Sequence, residues 1–213
     1  MSMAVSAAAA ASPEQPGLAE RFAELRQSRR IVIKIGTNTL TRQKDDTGIS
    51  PRGKADSGID VEYLHRVAEQ VADLVREGRQ ILIVTSGAIG MGARELGLHK
   101  RPTDIDQRQA CAAIGQPLLM NEYHRAFGVY GLTVAQILMT RDAWDNRASY
   151  LNLRKSVDAL LSMKVVPVFN ENDTISTAEI GNAFGDNDQL SAYIASKTDA
   201  ELLMLLSDID CLY

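Results

Sequence analysis

Short apolar runs recur along the chain, and each is separated from the next by a stretch of helical or polar pattern. The runs are rich in Val, Ile and Leu, which is typical of β-strands. They predict strands at Ile31–Ile35, Ile81–Val84, Leu132–Met139, Val165–Phe169 and Leu202–Leu206. Because these runs are almost continuously apolar, we expect strands buried on both faces, as in a parallel sheet.

The stretches between the runs predict α-helices. Asp60 precedes apolar residues spaced three and four apart, and the repeat stops at Gly78, which is typical of a capped amphipathic helix. Further helices are predicted over Ile105–Phe127, Leu151–Leu161 and Asp188–Ser196. We expect Pro117 to kink or break the first of these three. Strands that alternate with helices predict an α/β fold, a three-layer sandwich with a mostly parallel central sheet.

Two segments depart from this alternation. Residues 1–17 are rich in alanine and contain no Lys or Arg, which favours a disordered leader over a targeting segment. A short amphipathic helix is predicted over residues 18–30, so residues 1–29 are interpreted as a leader. The polar connection Thr41–Ile59 is long for a compact domain and predicts a lid or an insertion. Its basic side chains could contact phosphates, but their acidic neighbours favour a solvated loop.

Composition and charge narrow the classes of function. Of 213 residues, 45% are hydrophobic and 23% are charged, and the net charge is −4. This mild acidic excess predicts no binding to nucleic acid or to a membrane surface, and no apolar run approaches the roughly 20 residues of a membrane span. Cys111 and Cys211 are far apart, which indicates a reducing compartment and a cytoplasmic location. The three histidines lack metal-ligand spacing, so no metal site is predicted.

Small, hydroxyl, charged and amide residues follow every predicted strand. The segments are Gly36–Thr39, Thr85–Gly90, Thr140–Asp142, Asn170–Asp173 and Ser207–Asp208. The carboxyl ends of parallel strands lie at one edge of a sheet, and ligands bind there in open α/β sheets. The sequence therefore predicts a polar crevice at this edge.

Two segments of the predicted crevice favour an anion. Lys34 lies near the end of the first strand, two residues before Gly36, and an ammonium beside glycine amides suits a phosphate. A lysine that only reaches solvent from a strand tip is the alternative. The segment TSGAIGMG at 85–92 opens a helix after a strand, so its N–H groups favour a phosphate or a carboxylate. A tight turn that needs small residues is the alternative there.

Two clusters of acids and amides exceed what turns require. They are VFNENDTIS at 168–176 and FGDNDQLS at 184–191. Such groups are costly to bury unless they are paired. An N-cap role for Asp186 or Asp188 would explain one aspartate but hardly both clusters.

Five motifs in series resemble the glutamate 5-kinases of the amino-acid kinase family. They are IVIKIGTNTL, ILIVTSGAIGMGARELG, VVPVFNENDTIS, FGDNDQLSA and LLMLLSDID, and the resemblance covers residues 30–213 as one carbamate kinase-like domain. It implies phosphorylation of the side-chain carboxylate of L-glutamate by ATP, the first step of proline biosynthesis. It also implies Mg²⁺ held through the ATP phosphates, feedback inhibition by proline, and a homo-oligomer, either a dimer or a tetramer.

The same resemblance implies roles for single residues. Lys34 would contact the transferring phosphoryl group, and Asp188 would orient the catalytic lysines. The positions that match glutamate binding are Ser86, Asp173 and Asn187. The positions that match nucleotide binding are Lys34, Gly36, Ser207 and Asp208.

Two departures from the family pattern bear on activity. The sequence ends at SDIDCLY, so we expect a glutamate lobe with only the start of the ATP lobe and no PUA domain. Cys211 stands where the family usually has glycine, and a side chain there could disturb a turn near the nucleotide. The alternatives are an inactive fragment that binds glutamate or proline, the kinase domain of a bifunctional pyrroline-5-carboxylate synthase, and an amino-acid kinase with another acceptor.

Overall fold

In the part of the chain that the structure describes, five parallel strands form one sheet. The computed structural model describes residues 23, 25–40, 58–98, 100, 102–140, 147–175 and 186–207. The strands are β1 Arg30–Ile35, β2 Gln80–Val84, β3 Val134–Met139, β4 Val166–Glu171 and β5 Leu202–Leu206. Their order across the sheet is β3-β4-β2-β1-β5, and every pairing is parallel. The predicted parallel sheet is confirmed, and its order puts β1 between β2 and β5.

Helices cover both faces of this sheet. They are α1 Thr37–Leu40, α2 Val61–Arg76, α3 Ala88–Glu95, α4 Ile105–Gly128, α5 Arg147–Ser162 and α6 Asp186–Lys197. Successive side chains of a strand point to opposite faces. Ile31 and Ile33 therefore pack in one core with side chains of α2 and α4, and Val32 packs in another with side chains of α5 and α6. The two cores confirm the three-layer sandwich.

The caps of α2 explain its bounds. The side chain of Asp60 accepts a hydrogen bond from the backbone N–H of Tyr63 at 2.9 Å, which satisfies one of the free donors of the first turn. The helix ends before Gly78, whose φ of +86° is a left-handed conformation that favours glycine. Both predicted ends of this helix are confirmed.

Helix α4 runs from Ile105 to Gly128 with Pro117 inside it, so the predicted break is wrong, and a kink at Pro117 stays a prediction. Proline removes one helical hydrogen bond and frees the carbonyl four residues earlier. Pro117 and Ala113 both lie on the exposed side of α4, so water can reach that carbonyl. The opposite side of the helix carries the packing that holds it in place.

Helices α3 and α4 pack backbone against backbone through two glycines. A Cβ added at Gly115 would overlap the carbonyl oxygen of Ala88, and one added at Gly92 would overlap the carbonyl oxygen of Cys111. Only glycine permits this approach. The contact fixes α4 directly against the helix that follows β2.

Two element bounds near the strand ends differ from the sequence prediction. Strand β4 extends to Glu171, so Asn170 lies inside the strand and is buried. Helix α6 begins at Asp186, so Asp186 and Asp188 both lie in its first turn and neither is the N-cap. Asparagine is disfavoured in strands, which made the predicted end of β4 too early; its hydrogen bonds, described below, compensate for its burial.

Several smaller expectations also have outcomes. Cys111 is a buried free thiol, His65 is half-buried and His124 is exposed. The leader 1–17 and residues 41–57 of the polar connection lie outside the described residues. Of the helix predicted over 18–30, the described positions 23 and 25–27 are helical. Among the described residues, no helix is both long enough and apolar enough to cross a membrane.

Candidate active site

Lys34 and Asp188 form an ion pair at the carboxyl edge of the sheet. Lys34 is the penultimate residue of β1, with Val84 of β2 and Leu205 of β5 as its neighbours across the sheet. Its Nζ lies 2.6 Å from Oδ1 of Asp188, in the first turn of α6. The Lys34 side chain is 16% exposed and the Asp188 side chain 53% exposed, so the pair is open to solvent mainly from the Asp188 side.

Gly36 lies directly beneath the ammonium of Lys34. A Cβ added at Gly36 would lie 3.3 Å from Nζ of Lys34, so a larger residue would crowd the amine. The one-turn helix α1 starts next, and its Thr39 hydroxyl donates to the carbonyl of Leu206 at 3.4 Å. The ends of β1 and β5 are therefore tied together at this edge.

The loop after β2 leads directly into α3. Gly87 stands at the N-cap position with a φ of +106°, a conformation that side chains rarely adopt. The free N–H groups of the first turn of α3 follow it, and they favour a negative charge. The interpretation of TSGAIGMG as a strand-to-helix opening is confirmed at the level of the fold.

Asn187 binds this loop through its amide nitrogen. Nδ2 of Asn187 donates to the carbonyl of Thr85 at 2.6 Å, to Oγ of Ser86 at 2.7 Å and to Oδ1 of Asn170 at 3.2 Å. The nitrogen of this one side chain thus joins α6 to the end of β2 and to β4.

A row of hydrogen-bonded side-chain amides continues from Asn187 through the buried Asn170 and Gln116. Nδ2 of Asn170 donates to Oε1 of Gln116 at 2.8 Å, and Nε2 of Gln116 donates to Oε1 of Gln136 at 3.1 Å. The sequence analysis assigned no role to Gln116 or Gln136. The available signal was Gln116 itself, a polar residue on the apolar face that includes Cys111 and Leu119.

Tyr123 of α4 hydrogen-bonds to the same loop, the one that follows β2. It is fully buried, and its hydroxyl donates to Oγ1 of Thr85 at 2.9 Å. Burial raises the pKa of Tyr123 well above its usual value, since a phenolate would lose its hydration there. Tyr123 therefore acts as a neutral hydrogen-bond donor at every pH at which the chain would operate.

The remaining predicted site residues have different outcomes. Asp173 lies half-buried in the turn after β4, and Ser207 lies exposed after β5. Both therefore lie at the same sheet edge as Lys34. Asp208 lies outside the described residues. Of the candidates, the structure joins Lys34 to Asp188 and Asn187 to Ser86, with Gly36 against the ammonium.

The charges at this edge suit an anion beside a polar organic ligand. The Lys34 ammonium and the N-termini of α3 and α6 supply positive potential. Asp188 and Asp173 supply negative charge, and Ser86 and Asn187 supply neutral polar atoms. Among the described residues there is no group of three His, Cys, Asp or Glu side chains that could hold a metal ion.

The sequence model of the amino acid kinase family matches residues 29–213, which include the whole sheet and every residue of this site. The chain belongs to the amino acid kinase family. The match confirms the α/β fold class, and it extends over the part of the sequence that carries the five motifs.

Within the amino acid kinase family, several curated relatives that this chain matches are named glutamate 5-kinases. The protein of Methanosarcina mazei is 47% identical over 196 residues, which are 92% of this chain and 50% of that protein. The protein of Methanococcoides burtonii is 48% identical over 184 residues, 86% of this chain and 46% of that protein. The protein of Thermus thermophilus is 45% identical over 186 residues, 87% of this chain and 46% of that protein. The chain spans about half the length of these relatives.

Proposed function

We propose that this chain carries the glutamate site and the transfer lysine of an ATP-dependent glutamate 5-kinase, which converts L-glutamate to γ-glutamyl phosphate for proline biosynthesis. One observation carries the proposal: Lys34, held by Asp188, lies at the same sheet edge as the Ser86–Asn187 pair. A phosphate-binding cation thus lies beside groups that can bind an amino acid. The glutamate 5-kinases that match at 45–48% identity support the choice of acceptor.

Lys34 would stabilise the moving phosphoryl group. A carboxylate that attacks a polyphosphate brings two anions together, and a fixed ammonium offsets that repulsion most strongly where the charge develops. Asp188 keeps the ammonium in place before the nucleotide arrives. Gly36 leaves the space that the amine needs and lets a phosphate oxygen approach the backbone closely.

Ser86, Asn187 and Asp173 would bind the amino-acid end of glutamate. Oδ1 of Asn187 can accept a hydrogen bond from the ammonium of the substrate, and the Asp173 carboxylate can pair with the same charge. The N–H groups that open α3 can donate to its α-carboxylate. Glutamate would then be held with its side chain directed towards Lys34.

No general base is required for this reaction. The γ-carboxylate of glutamate is already ionised at neutral pH, so it attacks the γ-phosphorus of ATP and ADP leaves. Alignment and charge compensation are the contributions left for the protein. Mg²⁺ would arrive on the ATP phosphates and neutralise part of their charge.

The wider assignments belong to the same proposal. Ser207 and Asp208 would begin the nucleotide-binding segment, and residues 30–213 would form the kinase domain after a leader at 1–29. Proline would inhibit as the end product of the pathway, and the protein would act as a homo-oligomer, a dimer or a tetramer. A cytoplasmic location is consistent with the free thiol of Cys111.

Calorimetry and a trapping assay test the proposal. The chain is titrated with L-glutamate, and γ-glutamyl phosphate is trapped by hydroxylamine as the hydroxamate in the presence of ATP and Mg²⁺. We expect the chain to bind glutamate and the hydroxamate to accumulate with a version of the protein that contains a complete ATP lobe. ADP release by that version should be much lower with aspartate, N-acetylglutamate or UMP as the acceptor. The Lys34→Ala variant is the matched control, because it keeps the Ser86–Asn187 pair and removes only the transferring cation.

The outcomes separate the alternatives. Glutamate binding without hydroxamate formation, in the version with a complete ATP lobe, would support an inactive protein that binds glutamate or proline. Preference for another acceptor would assign the chain to a different kinase of the family. Failure to bind glutamate at all would overturn the proposal. The kinase domain of a bifunctional synthase would share the expected result, and the gene sequence beyond residue 213 distinguishes it.

A further inference from the structure

The buried amides behind Asn187 form a chain with a fixed direction. Asn170 is 2% exposed and Gln116 is 8% exposed, and their side chains hydrogen-bond to each other. Buried amides are costly unless each is satisfied, so such a row is retained only where it is fully paired. We call Gln136, Gln116, Asn170 and Asn187 the amide row.

Backbone groups at two points determine which way each amide faces. The carbonyl of Thr85 can only accept, so the atom of Asn187 that meets it at 2.6 Å must be nitrogen. The N–H of Glu171 can only donate, so the atom of Asn170 that meets it at 3.0 Å must be oxygen. The nitrogen of Asn170 then faces Gln116, which must present its oxygen.

We propose that Gln116 is a positioning residue: together with the N–H of Glu171 it holds the Asn170 amide with its oxygen towards Nδ2 of Asn187, which turns Oδ1 of Asn187 away from the row. On the proposed function, this Oδ1 is the atom that meets the substrate. Gln116 is suited to this role because α4 is fixed at the neighbouring position. Gly115 lies against the backbone of α3, and Tyr123, two turns further along α4, bonds Thr85. One rigid helix therefore supports both sides of the loop that Asn187 binds.

The row ends at Gln136, which is exposed. Water can replace Gln136 there, and Gln136 can turn its amide if its partner changes. A substitution at Gln116 is thus transmitted towards Asn187, because the other end of the row is free to adapt. Because only the Gln136 end of the row can adapt, the Gln116→Glu variant is informative: its carboxylate oxygen can still accept a hydrogen bond from Asn170.

Three variants of the whole chain test the inference. Gln116→Met removes the acceptor at similar length, Gln116→Glu keeps it, and Leu119→Val is a buried control one turn away on α4. The readouts are the dissociation constant for L-glutamate by calorimetry and the side-chain amide signals of Asn187 by NMR. The thermal unfolding temperature of each variant measures the general loss of stability.

We expect Gln116→Met to weaken glutamate binding at least about tenfold and to shift the Asn187 amide signals. Gln116→Glu should bind within about threefold of wild type with near-native signals, and Leu119→Val within about twofold despite a lowered unfolding temperature. Wild-type binding and an unchanged Asn187 signal in Gln116→Met would overturn the inference, as would equal losses in Gln116→Glu.

The affinity measurement rests on the proposed function, but the NMR measurement does not. If the wild-type chain fails to bind glutamate, the proposed function fails, and the amide row is then decided by the Asn187 signals alone. A shift in Gln116→Met with recovery in Gln116→Glu supports the row. Unchanged signals reject it.

Discussion

Nζ of Lys34 lies 2.6 Å from Oδ1 of Asp188, and this contact joins β1 to the first turn of α6. With the Asp188 side chain 53% exposed, the pair contributes little to folding, since exposed ion pairs are worth about 0–1 kcal/mol. Its consequence is positional, because it fixes the Lys34 ammonium close to Gly36 and to the first turn of α6. The ammonium is therefore in place before any anion binds.

Replacing Lys34 by alanine tests the role of this cation in phosphoryl transfer. We expect kcat for hydroxamate formation to fall at least about 100-fold, because one preorganised charge contact is lost at the transferring group. Glutamate affinity should change by less than about threefold. The control is Arg76→Ala, which removes an exposed cation paired with Asp73 on the surface of α2. Turnover near the wild-type rate in Lys34→Ala would remove Lys34 from the mechanism.

Gly36→Ala tests the space beneath the ammonium. The new Cβ would lie 3.3 Å from Nζ of Lys34, so the flexible amine must move by a few tenths of an ångström. We expect kcat to fall by about threefold to tenfold with little change in unfolding temperature, since small displacements of a catalytic group cost rate. Gly128→Ala, at the end of α4, serves as the control, because a Cβ there meets nothing within 4 Å. Equal rates for the two variants would contradict the role given to Gly36.

The strand ends explain why much of this site was predictable. Lys34 ends one apolar run and Ser86 follows another, and parallel strands bring such ends to one edge. Asn187 and Asp188 instead open α6, in an acid and amide cluster that precedes a predicted helix. The sheet order places β1, which carries Lys34, between β2 and β5, and in this position Lys34 reaches Asp188 of α6. The residue types and their positions in the sequence were sufficient for this part of the site.

The amide row was not predictable in the same way. Gln116 and Gln136 are 20 residues apart, and Gln116 and Asn170 are 54 apart, so their contact depends on the packing of α4 against the sheet. The burial of Asn170 inside β4 depends on those partners in turn. The repeat spacing of apolar residues indicates which face of a helix or strand a residue occupies. It does not indicate which distant amide side chain contacts that residue.

Asn187→Asp tests the direction of the Asn187 amide. The change replaces the donor that faces the Thr85 carbonyl by a second acceptor, with Asn170 Oδ1 close by. We expect stability to fall by about 1–3 kcal/mol and glutamate affinity to fall at least about tenfold, because buried acceptors would oppose each other. Thermal unfolding and calorimetry measure these two changes.

Gln189→Glu is the control for that change, since it also replaces an amide by a carboxylate, but at an exposed position two residues further along α6. It adds the same charge to the helix but opposes no carbonyl group. Glutamate affinity and unfolding temperature should stay near the wild-type values. If both variants lose affinity equally, the added charge is responsible and the direction of the amide is not.

Gly115→Ala tests the contact between α3 and α4. Its Cβ would overlap the backbone of Ala88, which cannot move aside as a flexible side chain can. We expect a loss of stability of about 1–3 kcal/mol or more from overpacking, measured by urea unfolding. Gly128→Ala on the same helix has open space for its Cβ and should be close to neutral. Equal stability of the two variants would show that the helices can separate without cost.

Tyr123→Phe tests the buried phenol, and its effect depends on pH. Burial raises the pKa of Tyr123 above the ordinary value of 10.0, so above about pH 10 the unfolded chain releases this proton and the folded chain retains it. The unfolded state then binds fewer protons, and stability falls as pH rises.

We expect Tyr123→Phe to be less stable than wild type by about 0.5–1.5 kcal/mol at pH 7–9, because the bond to Thr85 is lost. Above pH 10 the two curves should converge, since only the wild type has this proton to lose. Urea unfolding across pH 7–11 measures both effects, and curves that stay parallel throughout would mean that the phenol ionises in the folded chain as readily as in the unfolded one.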